Sequence, residues 1–297
     1  MIKKIILHAG TPKTGSTSLQ VFLHQERLEL MRRGILYPLI DETAELAKPK
    51  HQWMVNELLK PDGGQFIQKV NYALMQAEPD THTMILSTEG LFNHWWDFST
   101  AGREAIRSLT KNMLVQIWVW FREPVSFVRA NYIQMLRNPR WLVACYGHDL
   151  SVEQMLDDPW FSKHLDYIGF LREVEEVLGS GAAVPFAYHG DTIETFLRAL
   201  GVTGMEPATL KEHRTLGEFG ARLLRLVNQY DLSGEEKRLA VSHVSGLDAV
   251  VGQRSQPLTV ASATQDRIRH LASESLTALK RDFDFTFSET YDSELIA

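Results

Sequence analysis

Cysteine is almost missing from this chain: the 297 residues hold one, Cys145. A single thiol excludes a disulfide within the sequence and any cysteine-based zinc or iron–sulfur cluster, and it fits a reducing, cytoplasmic compartment. Long apolar runs are also lacking, with none near the roughly 18 residues that a membrane span needs. Two lysines precede Ile5-Ile6-Leu7, but that apolar stretch is too short for a signal peptide and leads straight into a turn, as a core strand would. Basic excess is absent as well: the net charge of −6 argues against general nucleic-acid binding, so any anion site must be local. No H-E-x-x-H, no G-x-S-x-G and no paired metal-ligand spacing occurs, which leaves metalloprotease and serine-hydrolase chemistry without support. Repeats, low-complexity tracts and linkers are missing too, so one domain is expected over 1–297, with a core to Gly201 and a helical extension after it.

What is present is an ordinary globular composition, 44% hydrophobic and 23% charged, enough for a sizeable core. Four apolar runs predict strands: Lys4 to Ala9, Thr83 to Ser87, Val115 to Phe121 and Ala183 to Tyr188. The first three lack polar alternation, as strands buried on both faces of a parallel sheet do. Helical spacing follows the first run through Leu19, Phe22, Leu23 and Leu30 to a cap at Gly34, and recurs over roughly 52–59, 65–76, 101–110, 125–136 and 191–200. From Leu216 onward the pattern is helical, broken near Ser255-Gln256-Pro257. Strand and helix in alternation predict an α/β fold of three layers, a parallel sheet between helices, with ligands beyond the carboxyl ends of the strands.

The most informative segment is Ile5 to Gln20, IILHAGTPKTGSTSLQ, which passes from a buried strand through a tight turn into a helix. A helix start offers unpaired N–H groups and partial positive charge to an anion. Gly15 permits close backbone approach, Ser16 and Thr17 add hydroxyl donors, and Lys13 adds a full charge. In the triphosphate loop G-x-x-x-x-G-K-[ST] the lysine follows the second glycine. Here Gly10 and Gly15 keep that spacing, but Ser16 stands in the lysine position and Lys13 precedes Gly15.

The run Pro12-Lys13-Thr14-Gly15-Ser16-Thr17 resembles the 5′-phosphosulfate loop P-K-[TS]-G-[TS]-[TS] of sulfotransferases that use PAPS (3′-phosphoadenosine 5′-phosphosulfate). The resemblance implies a P-loop-like fold, PAPS as co-substrate with PAP as product, and donor binding by Lys13, Thr14, Gly15, Ser16, Thr17 and Ser18. Arg122, Pro124 and Tyr132 fit the family's 3′-phosphate segment, whereas Ala130 occupies its serine position; Ser126, Arg129 or Asn131 would supply a replacement donor. Ser87-Thr88-Glu89 is similar to the strand end that carries the family's base, which makes Glu89 the candidate; the alternatives are pairing with Lys13 or capping a helix. His51 is a second candidate base, its ordinary pKa lying near neutrality. Tyr188 matches the family's aromatic strand end near the adenine, or else packs the top of the sheet, and Arg214 falls where the family places a basic loop.

The resemblance implies an in-line transfer in which Glu89 takes the acceptor proton and Lys13 stabilises the leaving oxygen. No divalent metal is expected, because a sulfuryl group carries less charge than a γ-phosphoryl group. The acceptor is expected to be a small molecule, carbohydrate or lipid with a hydroxyl or amine. Trp53, Trp95, Trp96, Trp141 and Trp160 fall in the segments that would shape its pocket or line a homo-oligomer interface. A nucleotide kinase or NTPase, and a non-catalytic nucleotide-binding protein, remain the competing readings.

Overall fold

The computed structural model describes residues 2–40, 49–140, 145–205, 216–251 and 257–287. Its centre is a five-stranded sheet in the order β2-β3-β1-β4-β5, formed by β1 (Lys4–Gly10), β2 (Ile35–Leu36), β3 (Thr83–Ser87), β4 (Leu114–Phe121) and β5 (Ala183–Ala187). Every pairing is parallel, with His8 opposite Ser87 on one side and Gly10 opposite Trp120 on the other. β3 is buried at every position and β1 at all but its first, so both faces of the centre are covered. That coverage explains why these strands are continuous apolar runs rather than alternating ones.

Alternate residues face opposite layers. Ile6, Ile85, Trp118 and Trp120 pack with Leu19, Phe22 and Leu23 of α1 (Ser16–Gln25), Leu30 of α2 (Arg27–Arg32), and Ile193, Phe196 and Leu197 of α11 (Thr192–Leu200). On the opposite face Phe121 meets Phe92 of α5 (Gly90–Asn93) at 5.9 Å and Phe170 of α10 (Tyr167–Leu178) at 6.3 Å, ring centre to ring centre. Each aromatic of this kind contributes about 1.5–3 kcal/mol by burial, and truncation of Phe196 to alanine is expected to cost about 3–5 kcal/mol. The α/β architecture anticipated from the strand–helix alternation is therefore present, a parallel sheet between helical layers.

Local signals place the helices. Ser99 accepts the Gly102 N–H at 2.9 Å to start α6 (Thr100–Leu109), and Asp191 accepts the Glu194 N–H at 2.9 Å to start α11. α7 (Pro124–Arg137) begins with proline at its first turn, and the Glu123 carboxylate accepts the N–H groups of Val125 and Ser126 at 3.1 and 2.8 Å. The expected first helix divides at Glu26 into α1 and α2, and α3 (Trp53–Leu58) and α4 (Phe66–Leu74) fall within the ranges expected for them.

By internal contacts the chain forms two compact units, Met1–Arg122 with Ile168–Leu210 and Leu279–Ala297, and Glu123–Tyr167 with Lys211–Ala278. The first holds the whole sheet. The second is helical, with α7, α8 (Val152–Asp157), α9 (Pro159–Lys163), α12 (Glu218–Val227), α13 (Gly234–Val251) and most of α14 (Ser262–Phe283). Its interior is unusually polar. Asn228 donates to the carbonyls of Leu136 and His148 at 3.1 and 3.0 Å, and the buried Lys237 donates to Leu136 at 2.8 Å. Buried Asp248 accepts the N–H groups of Gly217 and Gly220, both at 2.9 Å. Among the described residues no helix is long and apolar enough to cross a membrane.

Candidate functional site

The candidate residues of the first unit lie at the carboxyl ends of neighbouring strands. Glu89 follows β3, the Lys13 loop follows β1, Arg122 follows β4 and Tyr188 follows β5, in the order that the strands take across the sheet. Main-chain bonds carry the alignment past the last ladder pair. The Thr88 N–H donates to His8 at 3.1 Å, the Thr11 N–H to Trp120 at 3.1 Å and the Tyr188 N–H to Phe121 at 2.8 Å.

The loop after β1 is tightly specified. Lys13 adopts φ +64°, one of two non-glycine residues with positive φ among those described, and Gly15 adopts φ +74°. Such a backbone is disfavoured for a residue with a Cβ, so the surroundings must impose it. The Thr14 hydroxyl donates to Thr11 at 2.7 Å, the Thr11 hydroxyl to Trp120 at 3.0 Å and the Thr192 hydroxyl to the Thr14 carbonyl at 2.6 Å. Arg122 Nη1 donates to the Lys13 carbonyl at 3.0 Å.

Two glycines keep the space open. A Cβ on Gly10 would stand 2.0 Å from Ser16 Oγ and 2.8 Å from Thr14 Oγ1. One on Gly15 would stand 3.0 Å from Thr192 Oγ1 and 4.0 Å from the Tyr188 ring, which places Tyr188 beside the loop. The guanidinium of Arg122 lies 5.4 Å from the centre of the Tyr188 ring. At the start of α1 no side chain caps the helix and its first turn has no acidic residue. Thr17 is exposed and Ser18 partly so, whereas Thr14 and Ser16 are buried. An uncapped helix start, a partly buried lysine and a braced arginine fit an anionic group such as a phosphosulfate.

Glu89 stands at the N-cap position of α5, yet its side chain caps nothing. Its carboxylate makes no hydrogen bond or ion pair with the described residues. Burial pushes its pKa up, and the charges of Lys50 and Lys13 pull it down. Lys50 is the residue that sequence reasoning missed. Its proximity to Glu89 comes from the bonds of His51 to Ser87 and of Gln52 to Thr88 at the end of β3, which no local motif announces.

His51 is placed by main chain. Its N–H donates to Ser87 at 2.8 Å, its Nδ1 accepts from the Ser87 N–H at 3.0 Å, and its Nε2 lies 2.9 Å from the Pro38 carbonyl. Nδ1 is thus an acceptor and Nε2 carries the proton, so the ring has no lone pair left for a substrate proton. His51 acts as a clasp between β2 and β3.

Asn131 belongs to α7 in the second unit, where it is buried and its Oδ1 meets no hydrogen-bond partner among the described residues. Ala130 is buried too, Ser126 and Arg129 are partly exposed, and the Tyr132 hydroxyl donates to Leu150 at 3.2 Å. Arg214 and Trp141 lie outside the described residues. The remaining tryptophans divide. Trp95 is fully buried against Phe98 and Phe170, and Trp53 is buried beside Phe66, so neither presents a face to an acceptor. Trp96 donates to Glu173 at 2.9 Å, and Trp160 packs on Tyr146 and His164.

No protein-family model matches the chain and no curated protein is similar to it. Among solved structures it is similar to the sulfotransferase domain from the Synechococcus PCC 7002 olefin synthase, with 12% identity over 82% of this chain and 95% of that one and a TM-score of 0.35.

Proposed function

We propose that this chain is a sulfotransferase that moves a sulfuryl group from PAPS to a hydroxyl or amine of a small-molecule, carbohydrate or lipid acceptor. One observation carries the reading: a lysine in front of the second loop glycine is held in a left-handed conformation by Arg122, with the Glu89 carboxylate after the neighbouring strand. A triphosphate loop needs its lysine after that glycine; a lysine before it sits on the approach to the helix start.

When bound, the donor supplies the sulfuryl group and departs as PAP. The loop residues Thr14 to Ser18 hold its phosphosulfate through N–H donors and the hydroxyls of Ser16, Thr17 and Ser18, and Arg122 and Tyr188 flank its nucleotide. Glu89 takes the proton from the acceptor as the new bond forms, S–O to a hydroxyl or S–N to an amine, which its raised pKa favours. Lys13 stabilises the negative charge that grows on the phosphate oxygen as the old S–O bond breaks.

Calorimetry with PAP, against ATP and magnesium, tests the reading. Tight PAP binding without metal, and loss of transfer by about 10²–10³ in Lys13→Ala, is the expected result. Preference for ATP with magnesium, or near-normal turnover in Lys13→Ala, overturns it.

A further inference from the structure

β3 has two neighbours in the sheet, β1 and β2, and each brings a lysine to the carboxylate that follows β3. Lys13 comes from the loop after β1. Lys50 comes from a turn fastened to the end of β2, where the Tyr37 hydroxyl donates to the Pro49 carbonyl and His51 Nε2 to the Pro38 carbonyl. The same turn is fastened to the end of β3 by the two His51–Ser87 bonds and by the Thr88 hydroxyl, which donates to Gln52 Oε1 at 3.1 Å. Lys50 is therefore fixed at its backbone on both sides, although its side chain is exposed and has no hydrogen-bond or ion-pair partner among the described residues.

The two lysines differ in what donor binding does to them. An anion on the loop neutralises Lys13 and adds negative charge near Glu89. Lys50 stands on the other flank, on the turn bonded to the ends of β2 and β3. We propose that Lys50 is the positioning residue that holds Glu89 as a carboxylate once the anionic donor is bound. This inference rests on the sulfotransferase reading for its kinetic consequence, and on the sheet order for its electrostatics.

Other charged and titratable groups around Glu89 are committed. His51 is bonded at both ring nitrogens, and His8 Nδ1 lies 2.7 Å from Ser87 Oγ. Glu57 of α3, which packs against α5, is tied to Lys60 at 2.6 Å and Lys69 at 3.0 Å. His94, which follows α5, pairs with Asp97 at 2.9 Å. Among the described residues, Lys50 and Lys13 are the charges that lower the Glu89 pKa.

The experiment uses Lys50→Met and Lys50→Arg in the full chain. Lys50→Met is expected to move the acidic limb of kcat/KM up by about one pH unit, a tenfold loss below the limb, with KM for PAPS unchanged and the limb restored by Lys50→Arg. Carbon-13 NMR titration of the Glu89 carboxyl, assigned with Glu89→Gln, is expected to show the same displacement, larger with PAP than without it. A Glu89 titration that Lys50→Met leaves in place overturns the proposal whatever the activity. A raised acceptor KM with an unmoved limb also overturns it, assigning Lys50 to the acceptor instead. If the wild-type chain neither binds PAP nor turns over, the sulfotransferase reading fails, and the titration without PAP still decides whether Lys50 governs Glu89.

Discussion

Arg122 Nη1 reaches across from the end of β4 and donates to the carbonyl oxygen of Lys13 at 3.0 Å, while its guanidinium lies over the ring of Tyr188. One side chain thereby braces the loop and joins three strand ends. Arg122→Lys keeps the charge but loses the planar face and the fork of donors. It is expected to weaken PAP binding ten- to a hundredfold, corresponding to about 1.5–3 kcal/mol for a hydrogen bond from a charged group. Calorimetry checks this, and unchanged affinity would show that the brace does not matter for binding.

Gly10 tests the cradle without touching a charge. A methyl group there meets Ser16 Oγ at 2.0 Å, so Gly10→Ala must displace the buried serine at the start of α1. The strain is expected to cost about 1–3 kcal/mol of stability. Loss of PAP binding beyond what thermal unfolding accounts for is the signature to look for; wild-type affinity in a destabilised Gly10→Ala protein would remove Ser16 from the anion site.

Glu89 and His51 separate by different readouts. Glu89→Gln is expected to bind PAP with near wild-type affinity and to lose turnover by at least about a hundredfold. His51→Gln breaks a clasp and is expected to lose about 1–3 kcal/mol of stability, with the pH dependence of the remaining activity unchanged. A pH limb that disappears with His51 would reverse the two roles.

His8 is buried within β1, and burial lowers its pKa from 6.5 to about 3. The unfolded chain therefore takes up a proton that the folded chain refuses, so stability is complete above pH 6.5 and drains as the pH falls toward 3. The loss is on the order of 2 kcal/mol at pH 5 and 4–5 kcal/mol near pH 3. Urea unfolding of wild type and His8→Gln at neutral pH and pH 5 measures it, and parallel slopes in the two proteins would acquit His8.

The parts of this fold that were legible in the sequence are those decided by local chemistry. β3 appears at the expected residues, and β1, β4 and β5 within one residue at their ends; burial on both faces leaves an uninterrupted apolar run in β1, β3 and most of β4, whereas the half-buried edge strand β5 is apolar as well. β2 was not legible: two residues, Ile35 and Leu36, carry no period, and only pairing with Thr83 and Met84 makes them a strand. The break at Glu26 was invisible because no glycine or proline marks it. Trp95 illustrates the opposite failure, an aromatic in a presumed pocket segment that the Phe92 and Phe170 layer takes into the core. In the site, Lys13, Gly15, Arg122 and Glu89 stood out by their place after apolar runs. Lys50 did not, since what brings it to Glu89 is a few main-chain and side-chain bonds between segments distant in sequence.

The left-handed backbone of Lys13 bears on timing. Holding it costs about 1–2 kcal/mol, and the bonds from Arg122 and Thr192 impose that conformation during folding rather than at ligand arrival. An anion then meets a surface already shaped for it. Capture is expected to follow diffusion and long-range attraction, slowing with added salt and showing no lag for loop closure. Release from this loop is expected to be ungated as well, so a slow step in product release is expected to map to residues outside it.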